Sequence, residues 1–132
     1  KEAGGSVERV NQLVQALPAD FAVLSGDDGL TVPFISCGAV GLVSVTSNVD
    51  PAEMKALVDA AMSGDGKKAL ELQKKYYPLM KGLMSLDVNP VPVKAALALR
   101  GDIGWDIRLP LVPLAAEKHA KLADLLKSFN LM

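Results

Sequence analysis

The chain has 132 residues, which is enough for one domain of ordinary size, and its formal net charge at pH 7 is −1. The lysines and arginines are scattered, which excludes the clustered basic surface of a nucleic-acid-binding protein. The longest nearly apolar stretch, from Phe34 to Val45, contains serines and glycines and falls short of the roughly 20 residues that a membrane span needs. Cys37 is the only cysteine, so no internal disulfide can form, and a cytoplasmic location is expected.

The chain opens with a lysine, a small residue two places later and two glycines, and a helical pattern follows at once. This order is typical of a strand that ends in a βα loop. Ser6 can cap a helix that extends to about Ala16, because apolar residues recur at helical spacing along one face: Val7, Val10, Leu13, Val14 and Leu17.

Two further apolar runs end in small or acidic residues, at Phe21–Asp28 and at Gly41–Asn48. The segment from Gly29 to Ser36 between them predicts a brief helix with Pro33 in an early turn, where its missing N–H matters less. Three strand ends in succession, each followed by helix-like sequence, indicate βα units of a parallel barrel or a doubly wound sheet.

From residue 50 onward the pattern becomes almost entirely helical. Asp50 and Pro51 are typical of a helix start, and the glycine-rich segment from Ser63 to Gly66 is the clearest boundary in the chain. Three helices are predicted after it: Lys67–Leu86, with a kink at Pro78, then about Val93–Arg100, and finally Ala116–Phe129.

Four motifs in this order resemble the later half of the dihydrodipicolinate synthase family, within the pyruvate-dependent class I aldolases: Lys1-Glu2-Ala3, Ser25-Gly26-Asp27-Asp28, Gly41–Asn48 and Asn89-Pro90-Val91-Pro92-Val93-Lys94. The resemblance implies the later part of a (β/α)8 barrel, strands 6–8 with their helices, in residues 1–63. A C-terminal helical domain in residues 64–132 would follow. Because a complete barrel needs roughly 250 residues, we expect this chain to lack the N-terminal half.

The resemblance also assigns the expected site. Lys1 occupies the place of the catalytic lysine that forms a Schiff base with pyruvate. Gly26 and the backbone of Val43 are expected to line the pyruvate site, and Asp27 is expected among the substrate-binding residues. Asp27 and Asp28 could also suggest a metal pair or an acid/base pair. However, adjacent residues on a strand point to opposite faces, which favours loop hydrogen bonding and capping instead.

The expected chemistry begins with an uncharged amine. A free lysine titrates near about 10.4, and burial in an apolar barrel favours the neutral form. The amine then attacks the ketone of pyruvate, and the resulting imine gives an enamine that attacks an aldehyde. By resemblance the aldehyde is L-aspartate 4-semialdehyde and the product is 4-hydroxy-tetrahydrodipicolinate, on the route to lysine. No metal and no organic cofactor is expected, and the family implies a homotetramer.

Other readings stay open. The enzyme could be another pyruvate-dependent aldolase, such as an N-acetylneuraminate or 2-keto-3-deoxy sugar acid lyase. It could also be a non-catalytic half-barrel that needs a complementing partner, and the isolated chain is expected to be inactive. Gly4 stands where the family more often has threonine. The family's proton-relay tyrosines and carboxylate-binding arginine belong to its earlier half, and Tyr76 and Tyr77 fit an apolar helix face instead.

Overall fold

The computed structural model describes every residue from Lys1 to Met132. Six α-helices follow one another along the chain: α1 (Val7–Ala16), α2 (Thr31–Ser36), α3 (Pro51–Met62), α4 (Gly66–Ser85), α5 (Val91–Leu99) and α6 (Ala116–Ser128). Single 3-10 turns lie at Asp28–Leu30 and Thr46–Asn48. None of the helices combines the length and the apolar character that crossing a membrane would require.

The three predicted strand ends lie side by side and run parallel. Ser25 is the middle residue, and it forms one parallel bridge with Glu2 and a second with Leu42. Four backbone N–H groups donate across these bridges: Glu2 to Leu24 O at 2.8 Å, Gly26 to Glu2 O at 2.8 Å, Ser25 to Gly41 O at 2.9 Å and Val43 to Ser25 O at 2.8 Å. The evenly alternating donors are those of a parallel ladder.

Regular strands do not form, however, and this differs from the expectation of strands 6–8. Each segment takes part in isolated bridges only, because it leaves the ladder within a few residues. The first segment enters the glycine loop at Gly4, the second enters the turn at Asp28, and the third enters the turn at Thr46. The parallel order of the three segments is therefore present, while continuous strands are not.

The helix boundaries follow from local capping. Ser6 is extended, with φ of −121°, and its Oγ accepts a hydrogen bond from the Arg9 N–H at 3.2 Å, as an N-cap does. Pro51 occupies the first position of α3. Asp65 accepts from the Lys68 N–H at 3.0 Å and begins α4, which continues through Pro78 as one helix. These boundaries confirm the helices expected from the sequence.

The chain divides into two compact units. The first consists of Lys1–Ser44 and Ala52–Tyr77, and the second consists of Val45–Pro51 and Pro78–Met132. The division does not follow the boundary expected after Ser63, because the first part of α4 belongs with the strand ends. The assignment of residues 1–63 and 64–132 to two domains of the whole protein stays a prediction.

Each unit has its own core. In the first, Val10 of α1 and Phe34 of α2 are fully buried and cluster with Ala39. Val10 is the only fully buried member of the apolar face expected for α1, and Val7 and Val14 are each 37% exposed. The second unit buries side chains of α4, α5 and α6 completely: Leu79, Leu83, Ala96, Leu122 and Leu126. Burial of Leu122 and Leu126 confirms the inward face expected for the last helix.

An ion pair in the second unit makes the stability of the fold depend on pH. The Lys118 Nζ donates to Asp87 Oδ2 at 2.7 Å. This hydrogen bond, with a further one from the Val88 N–H, lowers the pKa of Asp87 below its ordinary value. A lowered folded-state pKa stabilises the fold above the unfolded-state pKa, and the stabilisation disappears as pH falls through the folded-state value.

We therefore predict that Asp87→Asn lowers the melting temperature at pH 7 by a small amount and that the difference shrinks as the pH falls below the ordinary aspartate pKa of about 3.9. The measurement is thermal unfolding from pH 7 to pH 2. Lys118→Met is the matched variant and should show the same convergence. A difference that stays constant across this range would contradict the assignment.

Candidate active site

The register of the strand ends decides which side chains share a face. Residues joined by a parallel bridge point the same way, and neighbours along a strand point opposite ways. Glu2, Ser25 and Leu42 form the bridged row on one face. The opposite face therefore carries the residues on either side of that row: Lys1, Ala3, Leu24, Gly26, Gly41 and Val43.

The side chain of Lys1 lies directly against Gly26. A methyl group added at Gly26 would be 2.7 Å from Lys1 Cε and 3.0 Å from Lys1 Cγ, and it would also be 2.7 Å from the Ala3 Cβ. Gly26 is not among the glycines with positive φ, so lack of space and not backbone torsion makes glycine necessary here. The aliphatic stem of Lys1 crosses the strand end where a side chain would otherwise stand.

Val43 lies on the same face in the neighbouring segment. Its N–H donates to Ser25 O at 2.8 Å, which places it in one row with Gly26 and Ala3. The structure thus brings three of the four expected site residues, Lys1, Gly26 and Val43, to one face of the strand ends. Within the described chain this face is open, since Lys1 is exposed and Val43 is 42% exposed.

Asp27 is placed differently. Its backbone is extended, with φ of −119° and ψ of 113°, so strand alternation directs its side chain away from the face of Gly26. The Ser25 Oγ accepts from the Asp27 N–H at 3.2 Å and donates to Asp27 O at 3.0 Å. The Asp27 Oδ2 is buried without a hydrogen-bond partner. Contact of Asp27 with a substrate stays a prediction, and the backbone supplies the loop hydrogen bonds expected of this position.

Glu2 is a residue near the site to which the sequence analysis gave no role. Its Oε1 accepts from the Gly4 N–H at 2.7 Å, and its Oε2 lies 3.9 Å from Arg9 Nε of α1. The Glu2 carboxylate therefore binds the backbone of the loop Gly4-Gly5, which follows the first strand end, and it links this loop to α1 through Arg9. The placement of Glu2 could have been predicted from the sequence, because side chains alternate along a strand and Glu2 lies between Lys1 and Ala3.

The second unit contains an aromatic pair, formed by Trp105 and His119. The imidazole of His119 stacks on Trp105 with ring centroids 4.8 Å apart, and its Nε2 is 2.8 Å from Leu114 O. This stacking leaves His119 half-buried. No group of three or more histidine, cysteine, aspartate or glutamate side chains is placed to hold a metal ion.

The family follows from comparison with known proteins. The model of the dihydrodipicolinate synthetase family matches residues 1–129. The chain belongs to this family. Its curated relatives include the 4-hydroxy-tetrahydrodipicolinate synthase of Syntrophus aciditrophicus (strain SB), which is 43% identical over 132 residues, with 100% of this chain and 45% of the relative covered. The chain thus spans somewhat less than half the length of the dihydrodipicolinate synthetase relatives that it matches.

Solved structures of the family share the fold of this chain. Dihydrodipicolinate synthase from Aquifex aeolicus matches with a TM-score of 0.95 at 40% identity, over 99% of this chain and 44% of that one. The 4-hydroxy-tetrahydrodipicolinate synthase from Methylacidiphilum fumariolicum SolV matches with a TM-score of 0.92 at 51% identity, over 98% and 43%. The chain therefore has the fold of the corresponding part of dihydrodipicolinate synthase.

The contact between Lys1 and Gly26 predicts the effect of a side chain at residue 26. If Lys1 forms the imine with pyruvate that the family resemblance implies, Gly26→Ala in the full-length protein should displace the lysine stem and slow that step by roughly 10- to 100-fold, because small misplacements of reacting groups are costly. The rate of pyruvate-dependent borohydride trapping measures this. Gly66→Ala is the matched control, since an added methyl group there meets nothing within 4 Å. Trapping of Gly26→Ala at the parent rate would contradict the geometry.

Proposed function

We propose that the full-length protein is a Schiff-base-forming lyase that condenses pyruvate with L-aspartate 4-semialdehyde to give 4-hydroxy-tetrahydrodipicolinate. The observation that carries the proposal is the lysine stem of Lys1 lying over the bare Cα of Gly26, at the ends of parallel strand segments. The family of the chain supports the same chemistry, and a family structure from Acinetobacter baumannii is a complex with pyruvate, at 38% identity and a TM-score of 0.93.

In the proposed reaction the unprotonated Lys1 Nζ attacks the C2 carbonyl carbon of pyruvate, and loss of water leaves a protonated imine. The iminium withdraws electrons, so the adjacent methyl group loses a proton and an enamine forms. The enamine carbon attacks the aldehyde carbon of the semialdehyde and forms the new carbon–carbon bond. The amino group of the second substrate then closes the ring and releases Lys1.

Residues of this chain have defined roles in that sequence. Gly26 leaves room for the lysine stem, and the backbone of Val43 would face the bound intermediate from the neighbouring strand end. We place the three segments as strands 6–8 of a (β/α)8 barrel, where catalytic groups stand at the carboxyl ends of strands. The remaining strands of such a barrel would enclose Lys1 and exclude bulk water from its amine.

The remaining partners follow from the same proposal. The N-terminal half of the barrel would complete the site, and the whole protein would be a cytoplasmic homotetramer that requires no metal or organic cofactor. Val7 and Val14 on α1, each 37% exposed, offer apolar surface for packing against further elements of such an assembly. The isolated 132-residue chain would be inactive, since three strand ends do not enclose the amine.

The proposal predicts that borohydride reduction of the full-length protein with pyruvate attaches a three-carbon adduct to Lys1. Peptide mass mapping locates the adduct. Lys1→Arg should abolish trapping, because the guanidinium stays protonated and cannot form the imine. Lys94→Arg is the control and should trap normally. An adduct on any other lysine would end the assignment.

A second prediction concerns the aldehyde. Full-length enzyme that has not been treated with borohydride should turn over pyruvate with L-aspartate 4-semialdehyde and not with N-acetylmannosamine or a sugar-acid-derived aldehyde. Steady-state assays with pyruvate and each aldehyde measure the ratio of kcat/KM values. Preference for a sugar aldehyde would keep the Schiff base and replace the proposed reaction by that of another pyruvate-dependent aldolase.

A further inference from the structure

The turn after Gly26 is fixed by side chains around its carbonyl groups. The Asp28 carbonyl accepts from both the N–H and the Oγ1 of Thr31, the latter at 2.8 Å, and Thr31 is fully buried. The Asp27 carbonyl accepts from the Ser25 Oγ at 3.0 Å. The next carbonyl in the turn belongs to Gly29, and it is the one whose helical partner is missing.

The missing partner is a consequence of the sequence. Asp28–Leu30 and Thr31–Ser36 form a continuous run of 3-10 and α-helix. In such a run the carbonyl of Gly29 would accept the N–H of residue 33, four places on. Residue 33 is proline, which has no N–H to donate. The carbonyl of Gly29 therefore lacks the α-helical donor that any other residue at position 33 would offer.

Gln73 of α4 supplies a donor at this place. Its Nε2 lies 3.2 Å from Gly29 O and 3.5 Å from Asp28 O, although Gln73 is 44 residues further along the chain than Gly29. Tyr77, one helical turn later, lies on the same side, and its Cε2 would be 3.3 Å from a methyl group added at Gly29. The middle of α4 thus holds the turn by a hydrogen bond and by close packing.

We propose that Gln73 is a positioning residue for the candidate active site. By donating to the Gly29 carbonyl in place of the absent Pro33 N–H, it fixes the turn that begins directly after Gly26, and so it keeps Gly26 beneath the stem of Lys1. This inference rests on the proposed function. It assigns part of α4, in the segment expected to be a separate helical appendage, to the support of the lysine.

The pairing of Gln73 with Pro33 allows a double-mutant test in the full-length protein. Gln73→Met removes the donor at nearly constant volume and should slow pyruvate-dependent borohydride trapping roughly 3- to 10-fold, the range expected for one such hydrogen bond. Pro33→Ala restores a backbone N–H to Gly29 O. When Gln73→Met is combined with Pro33→Ala, it should cost less than about twofold relative to Pro33→Ala alone, because the carbonyl no longer depends on Gln73.

Two further variants make the outcome decisive. Lys74→Met changes the exposed neighbour on α4 and should trap at the parent rate. Gln73→Lys keeps an N–H donor at this position and should recover most of the rate lost in Gln73→Met, which covers the case in which Gln73→Met does not fold. A purely structural role of Gln73 would lower the melting temperature of Gln73→Met without slowing trapping in the protein that remains folded.

The outcomes separate this inference from the proposed function. If the parent protein forms no adduct on Lys1, the proposed function fails and the role of Gln73 fails with it. If the parent forms the adduct and Gln73→Met traps at the parent rate, the function stands and the positioning role is overturned. An equal loss of rate with and without Pro33→Ala would also overturn it, because the donor would then not be the reason for the loss.

Discussion

The contact between the stem of Lys1 and the bare Cα of Gly26 is the constraint on which the candidate site depends. It exists because two parallel strand ends are paired so that Glu2 stands beside Ser25, which puts Lys1, Ala3 and Gly26 on one face. A slip of this register by one residue would turn Gly26 to the other face and put a side chain in the path of the lysine. Glycine at residue 26 is therefore a requirement of space, set by a residue on the neighbouring segment.

The groups around this contact lie on two faces of the strand ends, and each face has a different role. Lys1, Gly26 and Val43 are on the face where chemistry is proposed, while Glu2 and Ser25 hold the loops from the other face. Glu2 closes the glycine loop after Lys1, and Ser25 folds the backbone at Asp27. The turn at Asp28 is supported from further away, by Thr31 of α2 and by Gln73 of α4. The candidate amine of Lys1 is thus carried by a short piece of backbone that several hydrogen bonds hold in place.

The sequence predicted the helices well because their limits are local. Each helix limit is set by residues next to it: Ser6, Pro51 and the glycines near residue 65. The parallel order of the strand ends followed from the alternation of apolar segments with helical ones along the chain. The role of Gln73 could not be predicted in this way, because it depends on a contact over 44 residues. The sequence feature that hinted at this role was Pro33. It shows that the Gly29 carbonyl needs another donor, but it does not show which side chain provides that donor. The direction of the Asp27 side chain depends on the extended backbone torsion angles of Asp27 itself, which the sequence pattern did not specify.

The most direct test of the account is a crystal structure of the full-length protein after borohydride reduction in the presence of pyruvate. We expect continuous density from Lys1 Nζ to C2 of the former pyruvate, with the lysine stem crossing Gly26 and the Val43 carbonyl facing the adduct. A Lys1 side chain that is unmodified and turned away from Gly26, with the adduct on another amine, would contradict it.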